Sequence, residues 1–189
     1  MLLFLTTALP AFSQEDYLER GNSFLNTGKL EEAEQTFRDG IKSEPDNLIY
    51  QCQLGLTLVQ QKKYTKAEEV LDKVLKNDSE NVAAIWYSGI GNFQVGQDRQ
   101  AIARFKEALT FLDETRGQYY SANWYIGKSY SNLLKTEGLT YEETDRMFEC
   151  FEEYLRLQPN AKDAVEVREY VERKKTRRPP NNVKNWVDL

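Results

Sequence analysis

Four pairs of adjacent carboxylates, Glu31–Glu32, Glu68–Glu69, Glu142–Glu143 and Glu152–Glu153, are the side chains of this sequence best suited by type to acid–base chemistry. Two carboxyls can serve as acid and base when their surroundings push their pKa values apart. Here each pair lies on the outer face of an amphipathic stretch, among lysines and arginines, which is the pattern of a solvated surface. The chain contains no histidine. That removes the usual general base, the usual metal ligand and every Ser–His or Cys–His pairing. Cys52 and Cys150 are the only two cysteines and share no Cys-x-x-Cys spacing, so neither a zinc nor a redox motif is present, and both read as small apolar residues within helices. Gly89 and Gly91 form a bare Gly-x-Gly inside a helical pattern, which is not a phosphate-cradling loop. The sequence therefore predicts no enzyme, no cofactor and no metal.

The elements behind these residues are set by a repeat. The chain has 189 residues, 40% hydrophobic and 29% charged, with five prolines and ten glycines, a balance that permits long helices in a folded domain. In blocks of 34 residues counted from Gln14, Leu48 and Val82, the eighth position is Gly21, Gly55 and Gly89. The twentieth is Ala33, Ala67 and Ala101, and the twenty-fourth is Phe37, Leu71 and Phe105. Each block holds two apolar runs at helical spacing, split by a polar turn at Gly28, Lys62 or Gly96. Two helices joined by so short a turn must cross closely. A small residue at the crossing lets the backbones approach, and the bulky residue one turn away fills the space beside it. Thr65 with Glu68 reads as a capping box for the second helix of the second block, and Pro45 stops the second helix of the first. One pair alone cannot bury its apolar stripe, so such units stack.

Gly, Ala, an aromatic or Leu, and Pro at these positions resemble the tetratricopeptide repeat (TPR) family. The first block carries Tyr17, Gly21, Phe24, Ala33, Phe37 and Pro45, with Gly40 where the family has Ala; the second carries Leu54, Gly55, Leu58, Ala67 and Leu71; the third Gly89, Ala101, Phe105, Ala108 and Leu109. A less regular fourth block pairs Ile126, Gly127 and Tyr130 with Phe151, Tyr154, Leu155 and Pro159, Met147 standing in place of Ala. Between its helices the sequence suggests a turn eight residues longer than the pattern, followed by a second capping box at Thr140 and Glu143. The resemblance implies an all-α, right-handed α-solenoid with repeats at 14–47, 48–81, 82–115 and 120–161, closed by a capping helix at 162–175. It also implies a concave groove lined by the first helix of each repeat. Carried over, the groove positions include Leu18, Asn22 and Leu25; Cys52, Leu56 and Val59; Trp86, Ile90 and Phe93; and Trp124, Lys128 and Ser131. Trp86 and Phe93 fit the core equally well after a shift of one residue, and one of Trp124 and Tyr125 is expected to face outwards. Family members that clamp peptide carboxylates use Lys and Arg on these faces; here the positions are mostly apolar and only Asn22 fits.

Both ends differ from the repeats. Residues 1–13, MLLFLTTALPAFS, are apolar and uncharged, with Ala11 and Ser13 small before Gln14. They are too short for a membrane span, which takes about 20 apolar residues, and they resemble a secretory signal without its basic start. Export to the periplasm or beyond is the expectation, with a cytoplasmic chain as the alternative. Residues 173–189 hold six basic side chains against Asp188, whereas the whole chain has a net charge of −5. An acidic body argues against nucleic acid as a partner. Residues 176–189 read as a flexible basic tail in which Trp186 either anchors a partner or packs against the last helix near Val171.

Two functions remain. One is a non-catalytic scaffold that binds a protein or peptide through the concave groove in a bacterial envelope. The other is a structural subunit of a larger envelope assembly, held through its convex face or tail. The sequence leaves the oligomeric state open.

Overall fold

A computed structural model describes residues 14–188 of the chain. The leader-like residues 1–13, with the cleavage expected before Gln14, and Leu189 lie outside the described residues. Among the described residues the backbone forms nine α-helices and no β-strand: α1 (Gln14–Asn26), α2 (Leu30–Ser43), α3 (Leu48–Gln60), α4 (Tyr64–Asn77), α5 (Val82–Gln94), α6 (Asp98–Leu109), α7 (Gly117–Thr136), α8 (Tyr141–Leu157) and α9 (Ala164–Arg177). None of them is long and apolar enough to cross a membrane. The fold class is all-α. The chain divides into two compact units, one ending at Val74 and one beginning at Leu75.

In the first unit the small residues sit where helices meet. Ala33 and Ala67 are fully buried. A Cβ added to Gly21 would lie 2.4 Å from the Phe37 ring, and one added to Gly55 would lie 2.4 Å from Leu71. Gly40 is small for a separate reason: a Cβ there would come 3.1 Å from the Tyr50 ring and 3.3 Å from Tyr17. The turn between α1 and α2 passes through Gly28 at φ 71°, and the matching turn between α3 and α4 passes through Lys62 at φ 61°, a left-handed conformation that costs a residue with a Cβ about 1–2 kcal/mol. This turn also corrects the capping expected for α4. The helix starts at Tyr64, with the Ala67 N–H already bonded to the Lys63 carbonyl at 3.0 Å, so Thr65 lies inside the first turn and cannot be its cap.

The second unit repeats the geometry twice. Gly89 faces Phe105 and Gly127 faces Phe151, with added Cβ atoms at 3.0 and 2.9 Å from the rings. Ala101 is fully buried, and Met147 fills the corresponding place in the fourth pair, also fully buried. The residues expected to enlarge the turn of that pair lengthen its helices instead. α7 has 20 residues and α8 has 17, because Leu133 and Leu134 continue the buried stripe of α7. The capping box at the start of α8 forms as expected. The Glu143 N–H donates to Thr140 Oγ1 at 3.2 Å, and the Thr140 N–H donates to Glu143 Oε2 at 2.9 Å.

The segment after α9 is docked where the sequence suggested a flexible tail. Leu139 and Trp186 exchange two backbone hydrogen bonds, each of 2.8 Å, and the Asp188 N–H donates to the Leu134 carbonyl at 3.1 Å. Asn185 Nδ2 donates to the Glu137 carbonyl at 2.9 Å. Gly138, at φ 80°, leaves room for this segment: a Cβ there would stand 2.6 Å from Asn185 and 2.7 Å from Val187. Trp186 is half-buried against the core of the unit. Burial of one indole falls short of ordering such a segment. Its backbone hydrogen bonds, and the ion pairs of buried Asp188 with Lys174 and with Arg177 at 3.1 Å, make up the difference.

Candidate functional site

α7 presents Trp124, Lys128, Ser131 and Lys135 at three- and four-residue intervals, and therefore along one face. The same spacing on α9 aligns Glu166, Val167, Tyr170, Arg173 and Lys174. Between these faces lies an open cavity of about 410 Å³, with Phe151 of α8 among its walls. Asp163, just before α9, fixes one end. Its Oδ2 accepts the Trp124 Nε1–H at 2.8 Å and its Oδ1 accepts the Tyr154 O–H at 2.5 Å. Both oxygens are committed, and the indole is held in one orientation. Burial, and then the bond to Asp163, push the Tyr154 phenol up. At the other end burial, then the fields of Arg177, Arg173 and Lys135, push the Lys174 ammonium down; Asp188 is its counter-ion.

Of the groove residues expected from sequence, Trp124, Lys128 and Ser131 are brought together here. Trp86 is not part of any groove. It is 8% exposed, with its ring edge-on to Phe105 at 5.2 Å and to Tyr125 at 6.2 Å. Tyr125 is the inward member of its pair, stacked on Phe105 at 4.7 Å, which leaves Trp124 to the cavity. Phe93 is half-buried, edge-on to Tyr125 at 5.0 Å and to Trp124 at 6.2 Å, and Ile90 is half-buried on the same core. In the first unit Val59, at 6% exposure, is a core residue, as are Leu25 and Cys52; Leu18, Asn22 and Leu56 are half-buried. These positions turn inward because the bulky side chains around the crossings need apolar neighbours on both sides. Of the two readings of Trp186, a partner anchor or a residue packed on its own chain, the second is what forms.

Sequence reasoning missed Lys135 and the whole contribution of α9. The signal was the continued spacing Trp124, Lys128, Ser131, Lys135, and the matching series from Asp163 to Lys174. Reading α9 only as a cap with a polar outer face hid it.

The arrangement holds and orients groups. The carboxylate pairs lie at the surface, as expected. Burial pushes the Glu143 carboxyl up, but its bonds from Thr140 and Arg99 outweigh this and hold it low. Arg156 holds Glu153 low, and Glu152 is paired with Lys175. Burial also raises the carboxyl of Asp98, which accepts a hydrogen bond from Asn132 at 3.1 Å and is not one of these pairs. Burial pushes the Cys150 thiol up to about 12, the opposite of what a nucleophilic thiolate needs. Among the described residues no group of His, Cys, Asp and Glu could hold a metal ion.

Residues 18–82 match the family model of the tetratricopeptide repeat. The chain is 25% identical over 185 residues to the peroxisomal targeting signal receptor of Saccharomyces cerevisiae, an alignment that covers 78% of this chain and 30% of that protein. It spans about a third of the length of the curated relatives it matches. Among solved structures it is similar to Pseudomonas aeruginosa pilF, with a TM-score of 0.72 and 19% identity over 87% of this chain and 69% of that one. It is also similar to YrrB, described as a TPR protein with an unusual peptide-binding site, with a TM-score of 0.63 and 16% identity over 83% of this chain and 75% of that one. The fold is one that suits a scaffold for protein–protein interaction. The small residue at the crossing and the bulky one against it recur in all four helix pairs, and residues 18–82 among them carry the tetratricopeptide repeat.

Proposed function

We propose that this protein is a non-catalytic binding module that takes a segment of a partner protein in the cavity between α7 and α9. The observation that carries this reading is the convergence of Trp124, Phe151, Val167 and Tyr170 with charged groups around one open cavity, the usual make-up of a recognition pocket. Trp124 is pre-oriented by Asp163, which lowers the entropy lost on binding. The yeast relative is named as a receptor for a targeting signal and YrrB for a peptide-binding site, and both names support a binding role. Trp186 is already used within the chain, so the tail gives no support to a structural subunit anchored through it.

We also propose that the module works outside the cytoplasm, in a bacterial envelope, on the strength of the leader-like residues 1–13. N-terminal sequencing of the native protein tests this: a chain starting at Gln14 supports export, and one that keeps Met1 overturns it. Binding is tested by probing an immobilised array of random-sequence peptides with the full chain and with Trp124→Ala. Loss of the bound peptides in the variant, with an unchanged circular dichroism spectrum, supports the pocket. Peptide binding that is indifferent to Trp124→Ala refutes it.

A further inference from the structure

Two helix ends of like charge meet beside the Lys174 end of the cavity. Lys135 lies in the last turn of α7, and Arg173, Lys174 and Arg177 lie towards the end of α9. Arg177, Arg173 and Lys135 all stand close enough to push the Lys174 ammonium down, after burial, so by charge alone these ends repel. One anion is set among them. Asp188 is buried, pairs with Lys174 and stands 3.1 Å from Arg177. Its own N–H donates to the Leu134 carbonyl of α7 at 3.1 Å. A single residue of the tail therefore grips both helices, and Trp186 fixes it in place through its two backbone bonds to Leu139. At the opposite end of the cavity Asp163 joins the start of α9 to Trp124 of α7 and Tyr154 of α8, and midway the Tyr170 phenol stands beside Ser131.

The tail is attached at its tip. Residues 180–185, between α9 and the docked residues, are exposed, and Pro179 and Pro180 have no N–H to bond. The Val183 N–H turns back to the Pro180 carbonyl at 3.0 Å, and the hold on the rest of the chain is concentrated at Asn185, Trp186 and Asp188. Trp186 is half-buried and Val187 is exposed. A segment held by so few bonds opens more readily than the core beneath it. We infer that the tail is a releasable strap across the end of the cavity. Docked, it ties the end of α9 to α7 and sets the width between them. Released, it leaves Lys174 buried without its counter-ion, and the last turns of α9 move away from α7. A partner segment that needs the formed cavity then holds the strap down, and loss of the strap weakens that partner, because the two events are linked. The effect on binding rests on the cavity being the site proposed above; the strap itself does not.

Amide hydrogen exchange of the full chain, read by mass spectrometry of its peptides, tests the strap with two variants that act on it from opposite sides. Asp188→Asn removes the anion and keeps the shape of the side chain. Gly138→Ala leaves the charges alone and puts a carbon 2.6 Å from Asn185 and 2.7 Å from Val187, which evicts the segment. In both, exchange at Leu139 and at residues 172–178 is expected to rise about tenfold or more, while the amides of α5 and α6 keep their wild-type rates. In the wild type the Trp186 and Asp188 amides should exchange faster than those of α7 beneath them. Strap amides as slow as those of α7, or a freed tail that leaves α9 unchanged, overturns the inference. So does a rise spread evenly from α5 to α9, which marks a general loss of stability. Peptides selected on the array above are then added. They are expected to slow exchange at Trp186 and Asp188 in the wild type, and to bind Asp188→Asn about tenfold more weakly. Strap exchange and affinity both unchanged overturn the coupling to binding. If the array yields no peptide, the binding reading falls and the exchange rates alone decide the strap.

Discussion

Gly55→Ala adds a single carbon at the crossing of the second helix pair. That carbon would lie 2.4 Å from Leu71 Cδ2, 2.7 Å from Cγ and 3.2 Å from Cδ1. Leu71 is 1% exposed, so either its rotamer or the helix spacing must give. Overpacking this close falls in the upper part of its usual range, about 2–3 kcal/mol. Against it stands the gain of replacing a helical glycine with alanine, about 1 kcal/mol. The net loss is about 1–2 kcal/mol, a fall in melting temperature of about 2–8 °C for a chain of this size. Gly89→Ala is the internal comparison. Its added carbon meets the edge of the Phe105 ring at 3.0–3.2 Å, a milder clash that the propensity gain largely offsets, so its melting point should change less. Thermal melts of the two variants followed by circular dichroism give the ranking. A cycle with Leu71→Ala then isolates the contact: the second substitution opens the space that the first needs, so the double variant should be more stable than the sum of the single losses by about 1 kcal/mol or more. Additivity within about 0.5 kcal/mol, or a Gly55→Ala protein that melts at or above the wild type, would show that the crossing is not where the chain is tightest.

Trp186→Ala should lower the melting temperature by a few degrees, because a half-buried indole contributes about 1 kcal/mol, and it should speed amide exchange at Leu139; a melt and an exchange rate both unchanged would mean that the segment is not docked. Lys62→Gly relieves the positive φ at the turn before α4 and should stabilise the protein by about 0.5–1 kcal/mol, whereas a destabilised variant would place that turn elsewhere. Burial pushes the Glu34 carboxyl up, but bonds from Lys63, at 2.8 Å, and Arg38 outweigh it and hold the group at about 2. A carboxyl with a depressed folded pKa stabilises above its unfolded value of 4.5 and loses that contribution as pH falls towards 2. Melts across that window should therefore fall more steeply for the wild type than for Glu34→Gln, and parallel slopes would refute the pairing.

The helix pairs were legible because their determinants are local. Gly21, Gly55 and Gly89, with Ala33, Ala67 and Ala101, recur at a period that one helix–turn–helix unit imposes, and Phe37, Leu71 and Phe105 follow from the space those small residues leave. Thr140 and Glu143 could be read as a cap for the same reason, since they act on a backbone three residues away. Thr65 misled because its motif is as good as that of Thr140, and the difference lies in the Lys62 turn, which sets where α4 begins. Which face of a helix meets a neighbour is a matter of tertiary packing. Trp86 and Trp124 occupy the same position of consecutive repeats. The first is sealed by Phe105 and Tyr125, while the second is held at the cavity by an Asp163 that lies 39 residues on. The cations of α9 became part of a site only when that helix packed on α8 and shared a cavity with α7. The final segment found its place through hydrogen bonds to Leu134, Glu137 and Leu139, far back along the chain. Periodicity carries information over one turn of helix and one repeat, and so the sequence determined the pairs. The closing of long loops and the sharing of hydrogen bonds between distant segments leave no period behind, and so the pocket and the docked tail were decided by the tertiary structure alone.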